Sequence, residues 1–270
     1  MLIDLPTIPS SASPLGYPGG KKRLWNYFKM YLPDDLEFLI SPFMGGGGIE
    51  LQCTKKFIKV QASDNFEPLT NFWQQFKSNS EEVINLVCSM YPITFDERTH
   101  YHDVQLKKEC KDLNGNMLSD VKRAAIYLCI NKQSFRSWGL ARPPSRCEEL
   151  RSLDSFLKFK IWKNDYLEVL NSDYVPIIEN ANGKFMYLDP PYIDKEYFYG
   201  TYEGPHDFDH DHLSDLLHNT SSKWILSYGD HPKIRELYND YTILEPKWGY
   251  SVNPGSYSNI ESTELLILNL

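Results

Sequence analysis

The chain has 270 residues, an ordinary hydrophobic content of 41% and a formal net charge of −8, which suits one large domain or one domain carrying a substantial insert. Its five cysteines, Cys53, Cys88, Cys110, Cys129 and Cys147, are scattered with no CxxC pair, which excludes a disulfide framework and a cysteine-based zinc site. No apolar run approaches the ~18 residues of a membrane span, no leader-like start is present, and the acidity argues mildly against a polyanionic partner, so a soluble intracellular protein is expected.

Residues 1–16 are rich in Pro and Ser and read as a loose arm. In "YPGGKKRLWNYFKMYLP", Gly19-Gly20 make a turn, and Leu24, Tyr27, Phe28 and Tyr31 form a helical stripe that stops before Pro33. "EFLISPFMGGGGIELQC" is an apolar strand, a glycine-rich turn and a helix start. "FIKVQASDNF" is a second strand ending at Asp64, and "PLTNFWQQFK" is helical. This order opens a parallel α/β unit.

Over residues 80–165 the rhythm is lost, and helical stretches (EEVINLVCSM, DVKRAAIYLCINKQSF) alternate with polar loops. Cys129 lies in an apolar helix and reads as a core residue. From 166 the α/β alternation returns. Phe185–Leu188 is a strand, HLSDLLHNT a helix, WILSYG a strand and PKIRELYNDY a helix, and YTILEPK and ELLILNL are closing strands. The prediction is an α/β domain made of residues 1–79 and 166–270, interrupted by a mostly helical insert over 80–165.

Counting charge by segment changes the picture. Residues 101–163 hold thirteen Lys and Arg against seven Asp and Glu, a local balance of +6 that leaves −14 for the remainder. An acidic body with a basic insert suits a polyanion-binding enzyme, and a solvated helical surface gives the same count.

The four glycines at 45–48 sit between a strand and a helix, where a chain without Cβ atoms can turn tightly and admit a ligand. A phosphate-cradling loop requires GK[ST], but Ile49-Glu50 follows; a dinucleotide GxGxxG counted from Gly45 requires glycine at Glu50. A third class of site binds S-adenosylmethionine, which has no phosphate. Asp64 lies 19 residues after Gly45, where an acid accepts from ribose hydroxyls or caps the following helix.

The stretch "KFMYLDPPYIDKEYF" at 184–198 ends a strand on Asp189 and follows it with Pro190-Pro191 and Tyr192. Proline has no N–H and a fixed φ, so this backbone cannot extend a ladder or a helix. Asp189 and the Pro190 carbonyl are two acceptors fixed side by side at the end of that strand. Tyr192 offers a face for stacking.

Together these motifs resemble the Dam-type DNA adenine N6-methyltransferases, the alpha group of the D12 class. "YPGGKKRL" is similar to that family's [WY]xGGK motif, "SPFMGGGG" to EPFxGxG and "ASDNFEPLTNFW" to ADxNxxLIxxY. "AAIYLCINKQSF" is similar to AxxFLxLNRxxF, "YLDPPY" to the catalytic motif, "ILSYGD" to xLSN and "ESTELLILN" to xxxELLIxN.

The resemblance implies a Rossmann-like sheet with a helical target-recognition insert, S-adenosylmethionine as methyl donor and transfer to a flipped adenine in a specific DNA sequence. It implies Tyr17, Lys21, Phe43, Gly45, Gly47, Asp64 and Asp189 at the cofactor, and Asp189, Pro190 and Tyr192 at the target base. A polar, tyrosine-rich loop at 194–202 could close over that base, or be a plain surface loop. Lys132, Arg136 and Arg142 of the basic insert are candidates for DNA phosphates. The resemblance implies double-stranded DNA as partner, with the enzyme acting alone or beside a cognate restriction endonuclease; a monomer or weak dimer in the cytoplasm, or wherever the host or viral DNA lies, is expected.

Two departures stand out. Ser41 replaces an acid expected to help hold the methionine amino group, and the FNxPFG stretch after the recognition helix is missing. No metal is expected: "PHDFDHDHL", with His206, His210 and His212 among aspartates, reads as a loop entering a helix, its acids acting as cap and dipole partners. Alternatives are methylation of the cytosine amino group or of RNA, and a module that binds donor and DNA without turnover.

Overall fold

A computed structural model describes residues 13–17, 20–21, 24–106, 110–134, 152–193, 208–246, 249–251, 259–261 and 264–270. Among these the chain runs α1 (Trp25–Phe28), β1 (Phe38–Ser41), α2 (Glu50–Thr54), β2 (Lys59–Asp64), α3 (Glu67–Met90), α4 (Phe95–Leu106), α5 (Asp120–Gln133) and α6 (Asp154–Leu157). It continues with β3 (Leu167–Asn171), α7 (Tyr174–Glu179), β4 (Phe185–Leu188), α8 (His210–Asn219), β5 (Trp224–Gly229), α9 (Pro232–Leu237) and β6 (Thr242–Leu244). It closes with β7 (Gly249–Ser251), β8 (Asn259–Glu261) and β9 (Glu264–Asn269).

The main sheet has seven strands in the order β3-β2-β1-β4-β5-β9-β6, and β7 pairs with β8 separately. The five strands from β3 to β5 are parallel, and β9 is antiparallel to both β5 and β6. This is the α/β, Rossmann-like sheet that the residues predict. β4, Phe-Met-Tyr-Leu, is buried at every position, as a central parallel strand covered on both faces must be.

Strand order reverses between β1 and β4, where Leu39 pairs with Phe185 and Ile40 with Met186. The chain winds to one side through β2 and β3 and to the other through β4 and β5. Helices on opposite faces diverge at such a point and leave a crevice beyond the carboxyl ends of the strands. Ser41 and Asp189 stand at those two ends.

Each face of the sheet has its own core. The larger joins β1 and β2 to α3 and α5, with Phe72, Trp73, Phe76, Val83, Ile84 and Tyr127 fully or almost fully buried. Each such side chain contributes on the order of 1.5–3 kcal/mol by leaving water. The smaller core joins β4, β5 and β9 to α7, α8 and α9 through Met186, Leu188, Leu213, Leu217, Trp224 and Tyr238. α3 is broken at Asn79, whose φ of −138° and ψ of 41° are not helical. The same core passes through the break, from Phe76 to Val83, so the helices beyond residue 80 share the apolar interior of the sheet domain.

Some element boundaries differ from the sequence expectation. α1 ends at Phe28, short of Tyr31, as Met30 N–H turns back to the Tyr27 carbonyl in a tighter i→i+3 bond. α9 ends at Leu237 because Tyr238 leaves helical geometry at φ −119°, ψ 25°. α5 is no solvated surface: ten of its residues, including Arg123 through Asn131, are buried. Cys129 is fully buried there. Arg123 is spent on ion pairs with Glu67 and Asp120.

Candidate active site

On one side of the crevice the chain leaves β1 as Pro42-Phe43-Met44 and turns at the glycines. Met44 N–H donates to the Ser63 carbonyl at 2.8 Å, and Gly47 N–H closes the turn on the Met44 carbonyl at 2.9 Å. Gly45 and Gly47 have φ of +47° and +69°, the left-handed region where a side chain is strained. Tyr17 lies across this turn: a Cβ on Gly45 would sit 2.9 Å from its Cε1, and a Cβ on Gly46 would sit 2.6 Å from its Cβ. Trp73 of α3 braces the loop from behind, donating Nε1–H to the Gly45 carbonyl at 3.0 Å.

Asp64, at the end of β2, accepts Gly45 N–H on Oδ2 and Phe66 N–H on Oδ1, both at 3.0 Å. Burial pushes its carboxyl above the usual range, and those backbone donors work against that rise. The same side chain therefore braces the glycine turn and shapes the entry to α3.

On the other side, Asp189 follows β4, and three donors converge on its Oδ1. These are Lys21 Nζ at 3.0 Å, Ser227 Oγ at 2.9 Å and Tyr192 OH at 3.2 Å. Ser227 belongs to β5, next to β4 in the sheet, and its hydroxyl also meets Tyr187 OH at 3.1 Å. Lys21 Nζ lies 4.8 Å from the centre of the Tyr192 ring and 3.7 Å from Glu264 Oε1, so one ammonium ties acid, ring and β9 together. No donor among the described residues engages Asp189 Oδ2 or the Pro190 carbonyl oxygen. Tyr192 packs against Tyr228 with ring centres 5.6 Å apart, and Gly229 leaves room for that ring, since a Cβ there would meet Tyr192 Cδ2 at 3.1 Å.

Between the two sides lies a carboxyl group that motif spacing did not single out. Glu50 opens α2 and is only 2% exposed, and Ser41 Oγ–H donates to its Oε1 at 2.6 Å. Burial above all, with the nearby charge of Asp189 adding to it, raises its pKa to about 7, against the hydrogen bond from Ser41.

An aromatic wall closes the crevice beside the glycine loop. Phe43 lies 5.3 Å from Tyr174 and 5.8 Å from Phe208, centre to centre. Tyr174 begins α7, where Asp173 caps the helix by accepting Val175 N–H at 2.9 Å. Tyr174 also escaped the sequence analysis; its nearest local signal was a cap residue in "NSDY".

α5 reaches the site through a side-chain amide. Asn131 accepts Gly16 N–H at 3.0 Å and donates to the Gly16 carbonyl at 2.7 Å, fixing the residue before Tyr17. Lys132 follows in the last turn of α5, whereas Arg136, Arg142 and the loop at 194–202 lie outside the described residues. Of the residues expected at the cofactor and the base, Tyr17, Gly45 and Asp64 meet on one side, and Lys21, Asp189 and Tyr192 on the other. Phe43 forms the aromatic wall, Gly47 closes the turn and Pro190 is buried beside Asp189.

Of the histidine- and aspartate-rich stretch, Asp209 caps α8 by accepting His212 N–H at 2.9 Å, and Asp211 pairs with Lys233. Among the described residues no group of three His, Cys, Asp or Glu could hold a metal ion, and no helix is long and apolar enough to cross a membrane.

The model of the D12 class N6 adenine-specific DNA methyltransferases matches residues 17–145 and 148–252 of the chain. The chain is similar to the Type II methyltransferase M1.LlaDCHI of Lactococcus lactis subsp. cremoris, at 25% identity over 278 residues that cover 94% of this chain and 93% of that protein. It is also similar to the Type II methyltransferase M.CviBI of Paramecium bursaria Chlorella virus NC1A, at 25% identity over 267 residues that cover 94% of this chain and 97% of that protein.

Proposed function

We propose, from the premise that the chain belongs to the D12 class of N6 adenine-specific DNA methyltransferases, that it moves the methyl group of S-adenosylmethionine to the N6 amino group of an adenine flipped out of a specific DNA sequence. The observation that carries this is the convergence of Lys21, Ser227 and Tyr192 on one oxygen of Asp189. The acid is held by three donors, while no donor among the described residues engages its second oxygen or the neighbouring Pro190 carbonyl at the switch point of the sheet.

The residues fit that donor. Asp189 and Glu264 flank the Lys21 ammonium, while Glu50 and Asp64 have no cation partner among the described residues, which makes an acidic site suited to a ligand bearing a sulfonium and an ammonium. When bound, S-adenosylmethionine supplies an electrophilic methyl group. Tyr17, Phe43, Gly45, Gly47 and Asp64 would hold it, with Asp64 offering acceptor capacity to ribose hydroxyls.

The protein's own part is mostly positioning. Asp189 Oδ2 and the Pro190 carbonyl accept the two amino hydrogens, which frees the nitrogen lone pair from the ring. Proline's fixed φ holds that carbonyl in place, and the ion pair with Lys21 fixes the Asp189 side chain through Oδ1. Tyr192 stacks on the flipped base, replacing part of the few kcal/mol lost in unstacking. The amino proton leaves after transfer, when the nitrogen is strongly acidic, so no strong base is required.

Residues 80–165 would form the target-recognition part, with Lys132, Arg136 and Arg142 on phosphates and the loop at 194–202 closing over the base. A restriction endonuclease of matching specificity is the natural partner if the Type II character of the relatives extends to this chain; a cytoplasmic location goes with that role.

The test is incubation with tritiated S-adenosylmethionine and unmethylated duplex DNA, followed by nucleoside analysis. Label in N6-methyladenine that Asp189→Ala abolishes is the expected result; label on cytosine, or none above the Asp189→Ala control, overturns the proposal.

A further inference from the structure

The crevice contains one buried acid for which methyl transfer at Asp189 provides no task. We infer that Glu50, held by Ser41, is a positioning residue forming the anionic wall that receives the positively charged end of the methyl donor. The inference rests on the crevice being the S-adenosylmethionine site.

The first support is cost. Glu50 is 2% exposed and Ser41 fully buried, and no cation among the described residues pairs with Glu50. A buried carboxyl without a counter-ion is expensive, more so beside a second acid, and a glutamine of the same shape would fill the space without that expense. What the glutamine could not do is ionise when a cation arrives.

The second support is position. Glu50 begins the helix that follows the glycine turn, yet its carboxyl reaches back 2.6 Å from the hydroxyl of Ser41, the last residue of β1. It therefore lies under the switch point, between the glycine side and Asp189, whose charge it feels. Ser41 stands where the sequence comparison expects an acid, so this chain supplies from α2 the carboxylate it lacks at the end of β1. With a pKa of about 7, Glu50 would keep part of its protonation near neutral pH while the crevice is empty and ionise further as the sulfonium and ammonium enter.

The groups packed around Glu50 leave this assignment clear. β4 contributes Tyr187 and, just beyond its end, Asp189 with its Lys21 partner. β1 contributes the hydroxyl of Ser41, and α2 contributes Cys53 together with the backbone N–H groups of Ile49 and Glu50, which favour the ionised carboxylate. Burial pushes Tyr187 and Cys53 far above neutrality, so neither exchanges a proton near pH 7.

The experiment is titration calorimetry of the full chain with S-adenosylmethionine and with 5′-methylthioadenosine, which keeps the adenosine but lacks the sulfonium and the amino acid. Glu50→Gln should weaken the first ligand about tenfold or more and leave the second within about twofold, and Ser41→Ala should act in the same direction but more weakly. Near pH 7 the wild type should release protons on binding S-adenosylmethionine, seen as a buffer-dependent enthalpy, and Glu50→Gln should remove that release.

Unchanged affinity for S-adenosylmethionine, or equal loss for both ligands, overturns the inference and leaves the methyl-donor reading standing. A wild type that binds neither ligand overturns the reading and the inference together. If Glu50→Gln does not fold, Ser41→Ala and the wild-type proton release decide: selective weakening with release supports the role, and the absence of either one overturns it.

Discussion

On the glycine side of the crevice, Asp64 is held by backbone N–H groups 19 and 2 residues away in the chain. On the opposite side, the partners of Asp189 among the described residues are all side chains: Tyr192 three residues on, Ser227 thirty-eight residues on, and Lys21. The first arrangement is backbone geometry, rigid and dependent on residues without a Cβ. The second is a polar network whose members can be removed one at a time. The two sides of the candidate site are thus built by separate means, and Ser41 with Glu50 lies between them.

The comparison predicts different failures on the two sides. Asp189→Asn keeps the shape but removes the carboxylate charge, so kcat should fall about 10²–10³-fold while donor affinity changes far less. Single-turnover assays alongside calorimetry would separate the two; equal losses in both would break the division.

At the joint, stability should depend on pH. The Glu50 pKa is raised from 4.5 to about 7, so the folded protein keeps a proton that the unfolded chain releases. Relative to Glu50→Gln, the stability of the ligand-free protein should be full below pH 4.5 and fall as pH rises to about 7, by up to about 3 kcal/mol. Urea unfolding of both proteins across that window checks the sign, and a wild type that gains stability relative to Glu50→Gln as pH rises contradicts it.

A smaller effect is expected on the glycine side. In Gly46→Ala the new Cβ would lie 2.6 Å from Tyr17 Cβ, and displacing Tyr17 should cost about 1–3 kcal/mol of stability. KM for the donor should rise with little change in kcat, the reverse of Asp189→Asn. The smallest change is Ser227→Ala, which removes one of three donors to Asp189 Oδ1. At about 0.5–1.5 kcal/mol per hydrogen bond, kcat should fall roughly three- to tenfold with KM unchanged, as steady-state kinetics would show.

Much of this was legible before any coordinates. The run Phe-Met-Tyr-Leu before Asp189 announced a buried strand, and Gly45 with Asp64 announced a turn and its acid, because each signal lies within a few residues or one βα unit. Ser227 sat in a recognisable strand, but no spacing ties it to Asp189. Glu50 appeared only as a residue that spoils a dinucleotide motif. The charge count over 101–163 included Arg123, yet Arg123 is buried and serves Glu67, in a helix whose apolar run reads as core.

Strand identity, the glycine turn and the acid–proline–proline–tyrosine corner are properties of neighbouring residues, whose φ preferences and alternation of apolar side chains act over short distances. The active centre depended on β1 lying beside β4, with two strands and the helical stretch between them in the chain. That pairing is a choice of the whole sheet, made by burying two apolar faces at once. It brings Glu50, behind the end of β1, close to Asp189 at the end of β4, as the β4–β5 pairing brings Ser227.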